Sequence, residues 1–235
     1  MSEINVQKRI EAWLSGAYDS NTKDAIRKLS PEKLHDAFYK TLTFGTGGMR
    51  GLMGPGTNRL NLYTIRGATQ GLANYILKNA AKPHRVAISY DCRHLSREFA
   101  EETAGVLEAN GIEALLAPDL RPTPYLSFMV RHKKCSAGIM ITASHNPPAY
   151  NGYKVYWSDG AQVVAPHDQG IINEVNAITD FASIAVTKKF TKMTDADDLA
   201  YLDAITPEKK SKGKISIVYT NLHGTGATLM QKALL

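Results

Sequence analysis

RVAISYDCRHLSREFAEETAGVLEANGIEALLAPDLRPTPYLSFMVRHKKCSAGIMIT, residues 85–142, decides the fold. Three short apolar runs stand in it: RVAISYD (Arg85–Asp91), IEALLA (Ile112–Ala117) and AGIMIT (Ala137–Thr142). Each is too short and too uniformly apolar for a surface helix, so each reads as a buried strand. Between the first two, Ser96 stands where a helix cap belongs. Glu98, Glu101 and Glu102 follow in the first turns, where carboxylates meet the positive end of the helix dipole. Phe99, Thr103, Val106 and Leu107 form the inner stripe, and Gly111 sits at a left-handed helix stop. RPTPY then leads into a second helix running through Lys133. The order β-α-β-α-β implies an α/β fold with right-handed crossovers and a largely parallel sheet. Ligands of such sheets bind just beyond the carboxyl ends of the strands. The residues there are Asp91-Cys92-Arg93, the segment Pro118–Pro124, and Ala143-Ser144-His145.

Upstream, residues 3–40 read as helical. Ile4, Ile10, Trp13 and Leu14 form an apolar stripe, and Ser30-Pro31-Glu32 is a good helix start. A second helix carries Ile65, Thr69, Leu72 and Ile76 on one stripe. Between them FGTGGMRGLMGPG (Phe44–Gly56) is too rich in glycine to be a regular element. Downstream, YKVYW is a further strand, and a helix is expected over His167–Ile178. TPEKKSKGK (Thr206–Lys214) reads as a charged linker. KISIVYT (Lys214–Thr220) then restarts the pattern with a strand, a glycine turn and the start of a helix. The expected organisation is one domain over residues 1–206 and the beginning of a second over 207–235.

The 28 basic against 22 acidic side chains give a net charge of +6. That excess suits anionic ligands, but it is dispersed, and the Lys209–Lys214 cluster reads as a solvated linker, so no nucleic-acid partner is expected. No apolar run approaches the roughly 20 residues that cross a bilayer, so no membrane partner is expected. Cys92 and Cys135 lack metal-ligand or CxxC spacing and read as reduced thiols of a cytoplasmic protein.

Two stretches can carry chemistry. In TASHNPPAYNGYK (Thr142–Lys154), a strand delivers Ser144 to the tip of the sheet, and Asn146, Pro147 and Pro148 enforce a turn. A nucleophile there needs a base and a charge stabiliser, which His145 and Lys154 could supply. As residues alone, SHNPP reads more readily as a plain turn than as a site, and it lacks the glycines of a hydrolase elbow. In FGTGGMRG (Phe44–Gly51), glycines would let backbone N–H groups approach an anion, and Arg50 offers a fixed fork to phosphate oxygens. It is neither a Walker A loop nor a GxGxxG fingerprint.

Together, and in this order, these pieces resemble one family, the α-D-phosphohexomutases that include phosphoglucomutase and phosphomannomutase. FGTGGMRG resembles the opening arginine motif, DCRHLS (Asp91–Ser96) the DxRxxS element, TASHNPPAYNGYK the phosphoserine loop, and YTNLHGTG (Tyr219–Gly226) the opening of the second domain. The spelling FGTGGMRG and the long N-terminal helices are closer to the phosphoglucomutase and phosphopentomutase branch. The resemblance implies a three-layer sandwich on a largely parallel mixed sheet, followed by the start of a second similar domain. It implies interconversion of hexose 1-phosphate and 6-phosphate, with glucose favoured over mannose or pentose phosphates, through a phosphoserine and a bisphosphate intermediate. Ser144 would carry the phosphoryl group, contact substrate and supply one oxygen to Mg²⁺. Arg50 would hold phosphoryl oxygens, and Lys154, ahead of His145, would act as general acid/base. Glucose 1,6-bisphosphate is the implied activator. For Asp91 and Arg93, ordering the loop is at least as good a reading as touching substrate.

The family's carboxylate loop for Mg²⁺, its sugar loop and its late phosphate loop are not found in the 235 residues. The chain is therefore expected to be part of a longer mutase whose remaining domains are its partners, and to be inactive alone. The alternative is a non-catalytic module that binds sugar phosphates or another protein, with dimerisation through an unpartnered KISIVYT strand as a further option.

Overall fold

The computed structural model describes residues 3–208 and 215–234. The helical N-terminus is three short helices, α1 (Glu3–Ser15), α2 (Ser20–Arg27) and α3 (Pro31–Phe38). They close on a small aromatic core of Val6, Ile10, Trp13, Ile26, Phe38 and Tyr63. Ser30 caps α3 as expected, its Oγ accepting from Lys33 N–H. Ile4 departs from the expected stripe and is 67% exposed.

The main body is one mixed sheet of β1 (Gly48–Leu52), β2 (Arg85–Tyr90), β3 (Glu113–Leu116), β4 (Ala137–Ile141), β5 (Tyr150–Trp157) and β6 (Thr191–Lys192). The strand order is β1-β5-β4-β2-β3-β6. β4, β2, β3 and β6 run parallel, and β5 runs antiparallel to both β4 and β1. Strand alternation sends side chains to two faces. Val86, Ile88, Tyr90, Ile139, Ile141, Tyr153 and Val155 pack beneath α4 (Leu62–Asn79), α5 (Ser96–Ala109) and α7 (His167–Asn176). Ala87, Leu115, Met140 and Tyr156 face α6 (Thr123–His132), with Tyr201 of α8 (Asp195–Ile205) packed alongside. The three-layer α/β sandwich with a largely parallel mixed sheet is thus the architecture. Both helical stripes hold, with Ile65, Thr69, Leu72 and Ile76 of α4 and Phe99, Thr103, Val106 and Leu107 of α5 all buried.

Three local expectations are corrected. The glycine-rich stretch does contain a regular element, because β1 forms within it as an edge strand on β5. Its glycines serve close backbone approach: a Cβ on Gly48 (φ +141°) would lie 1.9 Å from the Tyr153 carbonyl oxygen. Ser96 does not cap α5. Leu95, left-handed at φ 61°, holds that position, and the Ser96 hydroxyl donates instead to Asp91 Oδ1 at 2.7 Å. Residues 215–220 form no strand, and Ile215, Ile217, Val218 and Tyr219 are exposed. A strand needs a neighbour to satisfy its ladder, and none pairs with this segment among the described residues. Most of the charged linker (209–214) lies outside the described residues; Thr206–Glu208 is a 3-10 turn. Sequence reading did not anticipate β6 or α8, whose N-terminus carries a capping box of Thr194 and Asp197. A short helix α9 (Met230–Leu234) follows the glycine turn, and Leu229 just before it is buried against the α6 layer.

Candidate active site

Ser144 lies three residues beyond the last residue of β4, where parallel-sheet physics puts a ligand site. It is exposed and adopts φ 57°, a left-handed conformation that costs a non-glycine residue of order 1 kcal/mol or more. Such a turn lifts the side chain off the strand's pleat. The Ser144 N–H donates to Thr142 Oγ1 at 2.9 Å, and Asn146 N–H closes a turn on the Ala143 carbonyl at 3.1 Å. The Ser144 hydroxyl and His145 Nδ1 are 3.3 Å apart, so the base that the sequence offered is within reach.

Arg93 holds the loop from beneath. Its Nη2 donates to the carbonyl oxygens of Ser144 and Asn146, both at 2.7 Å. Its Nη1 donates to those of Pro147 at 3.1 Å and Tyr150 at 3.0 Å. Nε faces Asp91 Oδ2 at 3.4 Å, and both side chains of this ion pair are only 12% exposed. Asp91 Oδ1 accepts from the Arg93 N–H and from the Ser96 hydroxyl. Ser96 Oγ in turn accepts from Nδ2 of the fully buried Asn151, whose Oδ1 receives the Gly152 N–H.

Arg50 and Lys154 share one face of the sheet. Gly48 pairs with Lys154 and Arg50 with Gly152 across β1 and β5, and directly paired residues point the same way. Gly152 has no room for a side chain, since a Cβ there would sit 2.6 Å from the Thr142 carbonyl oxygen. Lys154, Arg50 and Thr142 therefore edge a small hollow of about 220 Å³ with Gln162. Ser144 and His145 line a larger, adjacent hollow of about 840 Å³, together with Asp91, Cys92 and Leu222–Gly224. Arg50 joins the two, because its Nη1 donates to Asn146 Oδ1 at 3.0 Å on the serine loop. Lys154 makes no hydrogen bond to Ser144 among the described residues. Of the residues singled out in the sequence, Arg50 and Lys154 thus line the smaller hollow and Ser144 and His145 the larger one. Sequence reading left the role of the Asp91–Arg93 pair open and missed the link through Ser96 and Asn151.

A magnesium ion is poorly served by these residues alone. Among the described residues no three His, Cys, Asp or Glu side chains converge on a cation position. The serine loop offers hydroxyl and amide oxygens, and a hard divalent cation takes at least about six oxygens.

The fold is an α/β/α sandwich that raises an exposed serine on a left-handed turn at the carboxyl end of β4, with a lysine on the neighbouring β5 and an arginine on β1 beyond it. Residues 41–181 match the family model described as phosphoglucomutase/phosphomannomutase, alpha/beta/alpha domain I, and the chain belongs to that family. It is 34% identical to human phosphopentomutase, over 98% of this chain and 42% of that protein. It is 37% identical to a Staphylococcus aureus phosphoglucomutase, over 95% of this chain and 42% of that one. Among solved structures, a Thermus thermophilus protein described as a candidate phosphomannomutase superimposes with a TM-score of 0.71. The two are 26% identical over 83% of this chain and 43% of the other. The chain therefore spans about 42% of the length of these curated relatives. Among the described residues no helix is long and apolar enough to cross a membrane.

Proposed function

We propose that the chain is the phosphoserine-bearing part of a cytoplasmic mutase that moves a phosphoryl group between two oxygens of one sugar monophosphate. The observation that carries this reading is Ser144: exposed, left-handed, at the end of β4, and 3.3 Å from an imidazole nitrogen. Phosphorylated Ser144 presents its phosphorus to a sugar hydroxyl. A new O–P bond forms to the sugar while the bond to Ser144 Oγ breaks, giving a bisphosphate. The sugar hydroxyl's proton passes to the general base, Lys154 ahead of His145, and the conjugate acid so formed returns a proton to the serine oxygen as it leaves, so no net proton is gained or lost. The bisphosphate turns over and returns its other phosphoryl group to Ser144. Arg50 supplies a planar fork for phosphoryl oxygens and Lys154 a point charge; positioning and electrostatics carry most of such a transfer. In the longer protein, phospho-Ser144 would offer one oxygen to Mg²⁺, and the remaining domains would have to supply the other ligands.

Relatives of this chain include both a phosphopentomutase and phosphoglucomutases. Glucose phosphate is the favoured substrate. An assay of the longer protein on glucose 1-phosphate and on ribose 1-phosphate decides between the two sugars. The 235-residue chain itself is expected to give no turnover. Incubation of the longer protein with glucose 1,6-bisphosphate followed by peptide mass spectrometry should place the phosphoryl group on Ser144. Label on another residue, or measurable turnover by the short chain, overturns this reading.

A further inference from the structure

We propose that Arg93 is the positioning residue of the serine loop, holding Ser144 in its left-handed conformation, and that it does not bind the sugar phosphate. The inference rests on the phosphoserine reading above. A guanidinium has five N–H donors. In Arg93 four of them reach main-chain carbonyls between Ser144 and Tyr150, and the fifth faces Asp91. The Nη donors are thus engaged by the loop, and Nε is held in the ion pair with Asp91. Arg50 is the opposite case: it is exposed, and its one hydrogen bond among the described residues goes to a neutral side-chain amide. Two arginines near one serine therefore divide the work, one on the loop and one on the anion.

The four carbonyls that Arg93 collects turn inward toward a single cation. Carbonyls drawn inward leave the opposite side of the loop, including the Ser144 side chain, facing out. The Asp91 carboxylate fixes the guanidinium, the Ser96 hydroxyl fixes the carboxylate, and buried Asn151 fixes the hydroxyl from the start of β5. This chain of contacts also explains why Ser96 gives up the capping position and why left-handed Leu95 takes it. Two non-glycine residues in left-handed conformations, Leu95 and Ser144, stand at either end of one network. Strain of that kind persists only where surrounding contacts fix it.

Lysine cannot replace such a fork, because an ammonium has three donors and no plane. In the longer mutase, Arg93→Lys should lower kcat by about 100-fold, the scale set by misplacing a reacting atom by an ångström. KM for the sugar phosphate should stay within about two-fold, since uniform substrate binding is untouched. Arg50→Lys should instead raise KM. Ser96→Ala removes one node without removing a charge; it should lower kcat in the same direction and serves if Arg93→Lys does not fold. Amide hydrogen exchange on the unphosphorylated chain gives an activity-independent reading: residues 142–151 should exchange at least about ten-fold faster in Ser96→Ala and Arg93→Lys. Unchanged exchange in both folded variants, or a raised KM with kcat retained in Arg93→Lys, overturns the proposal. Label on Ser144 in the unaltered protein tests the phosphoserine reading separately, so the two can fail independently.

Discussion

Nη1 of Arg50 donates to Oδ1 of Asn146 at 3.0 Å, joining residues 96 apart in the chain and bridging the edge strand to the serine loop. The bond is to a neutral acceptor at an exposed position, so it contributes little to stability. A phosphoryl oxygen is the better partner, because its negative charge adds Coulomb attraction and its geometry accepts two parallel bonds from the guanidinium fork. Arg50→Ala should therefore change unfolding free energy by no more than about 0.5 kcal/mol. It should slow phosphorylation of Ser144 by glucose 1,6-bisphosphate about 10- to 100-fold, corresponding to one lost charge-assisted contact. Calorimetry and a labelling time course measure the two effects. A large loss of stability with normal labelling would show Arg50 to be structural.

Arg121 and Asp198 form a bidentate pair at 2.8 and 2.6 Å with side chains only 5% and 4% exposed. It ties the segment after β3 to α8. Removing one partner of a buried pair strands the other charge, which costs about 3–5 kcal/mol. Asp198→Ala should therefore destabilise by that amount in urea unfolding. Replacing both residues by apolar ones of similar volume should cost much less than Asp198→Ala alone. Equal losses in the single and double variants would contradict this account.

The sheet was legible because three of its four parallel strands, β2, β3 and β4, are apolar runs with turn residues at both ends, a local signal that packing reinforces. Ser144 was singled out by its loop spelling, TASHNPP, through the family resemblance, since the residue types alone favoured a plain turn. β1 was not, because glycine usually argues against a strand; here the glycines are what let β1 and β5 approach, as the crowding at Gly48 and Gly152 shows. Ser96 was misread for a related reason. Propensity places a serine at a helix start, but Asp91 competes for the same hydroxyl and wins. The four carbonyls on Arg93 could not be read at all, since main-chain acceptors carry no residue identity. α8 was missed because its acidic first turn resembles a solvated surface, whereas Asp197 and Asp198 are buried and paired with Lys133 and Arg121.

Asp197 provides a pH test. Burial pushes its pKa up, but hydrogen bonds from Lys133 and from Thr194 together with the Lys133 charge outweigh burial and hold it below the ordinary carboxylate value. Its folded pKa is thus lower than its unfolded one, and the unfolded state binds the proton more readily. Its contribution to stability is complete above the unfolded value of about 3.9 and is lost as pH falls through the depressed folded value. Asp197→Asn should therefore flatten the decline in stability below about pH 4 while lowering stability at neutral pH. Urea midpoints across the acid-to-neutral range for both proteins measure it. Parallel curves would remove Asp197 from the account.

The chain's two cysteines differ in environment, and that difference gives a probe of the site. Cys135 is buried behind α6, and burial pushes its thiol up to about 12, so near neutral pH it is neither ionised nor reachable. Cys92 is exposed and lines the same hollow as Ser144 and His145. An aromatic disulfide reagent should therefore titrate one thiol per folded chain quickly and the second only as the chain unfolds. Cys92→Ser should abolish the fast phase. Glucose 1,6-bisphosphate occupying that hollow should slow modification of Cys92 in proportion to occupancy, giving an affinity without any turnover. Rapid modification of both thiols in the folded chain would place Cys135 at the surface. Cys92 modification indifferent to saturating bisphosphate would place the ligand elsewhere.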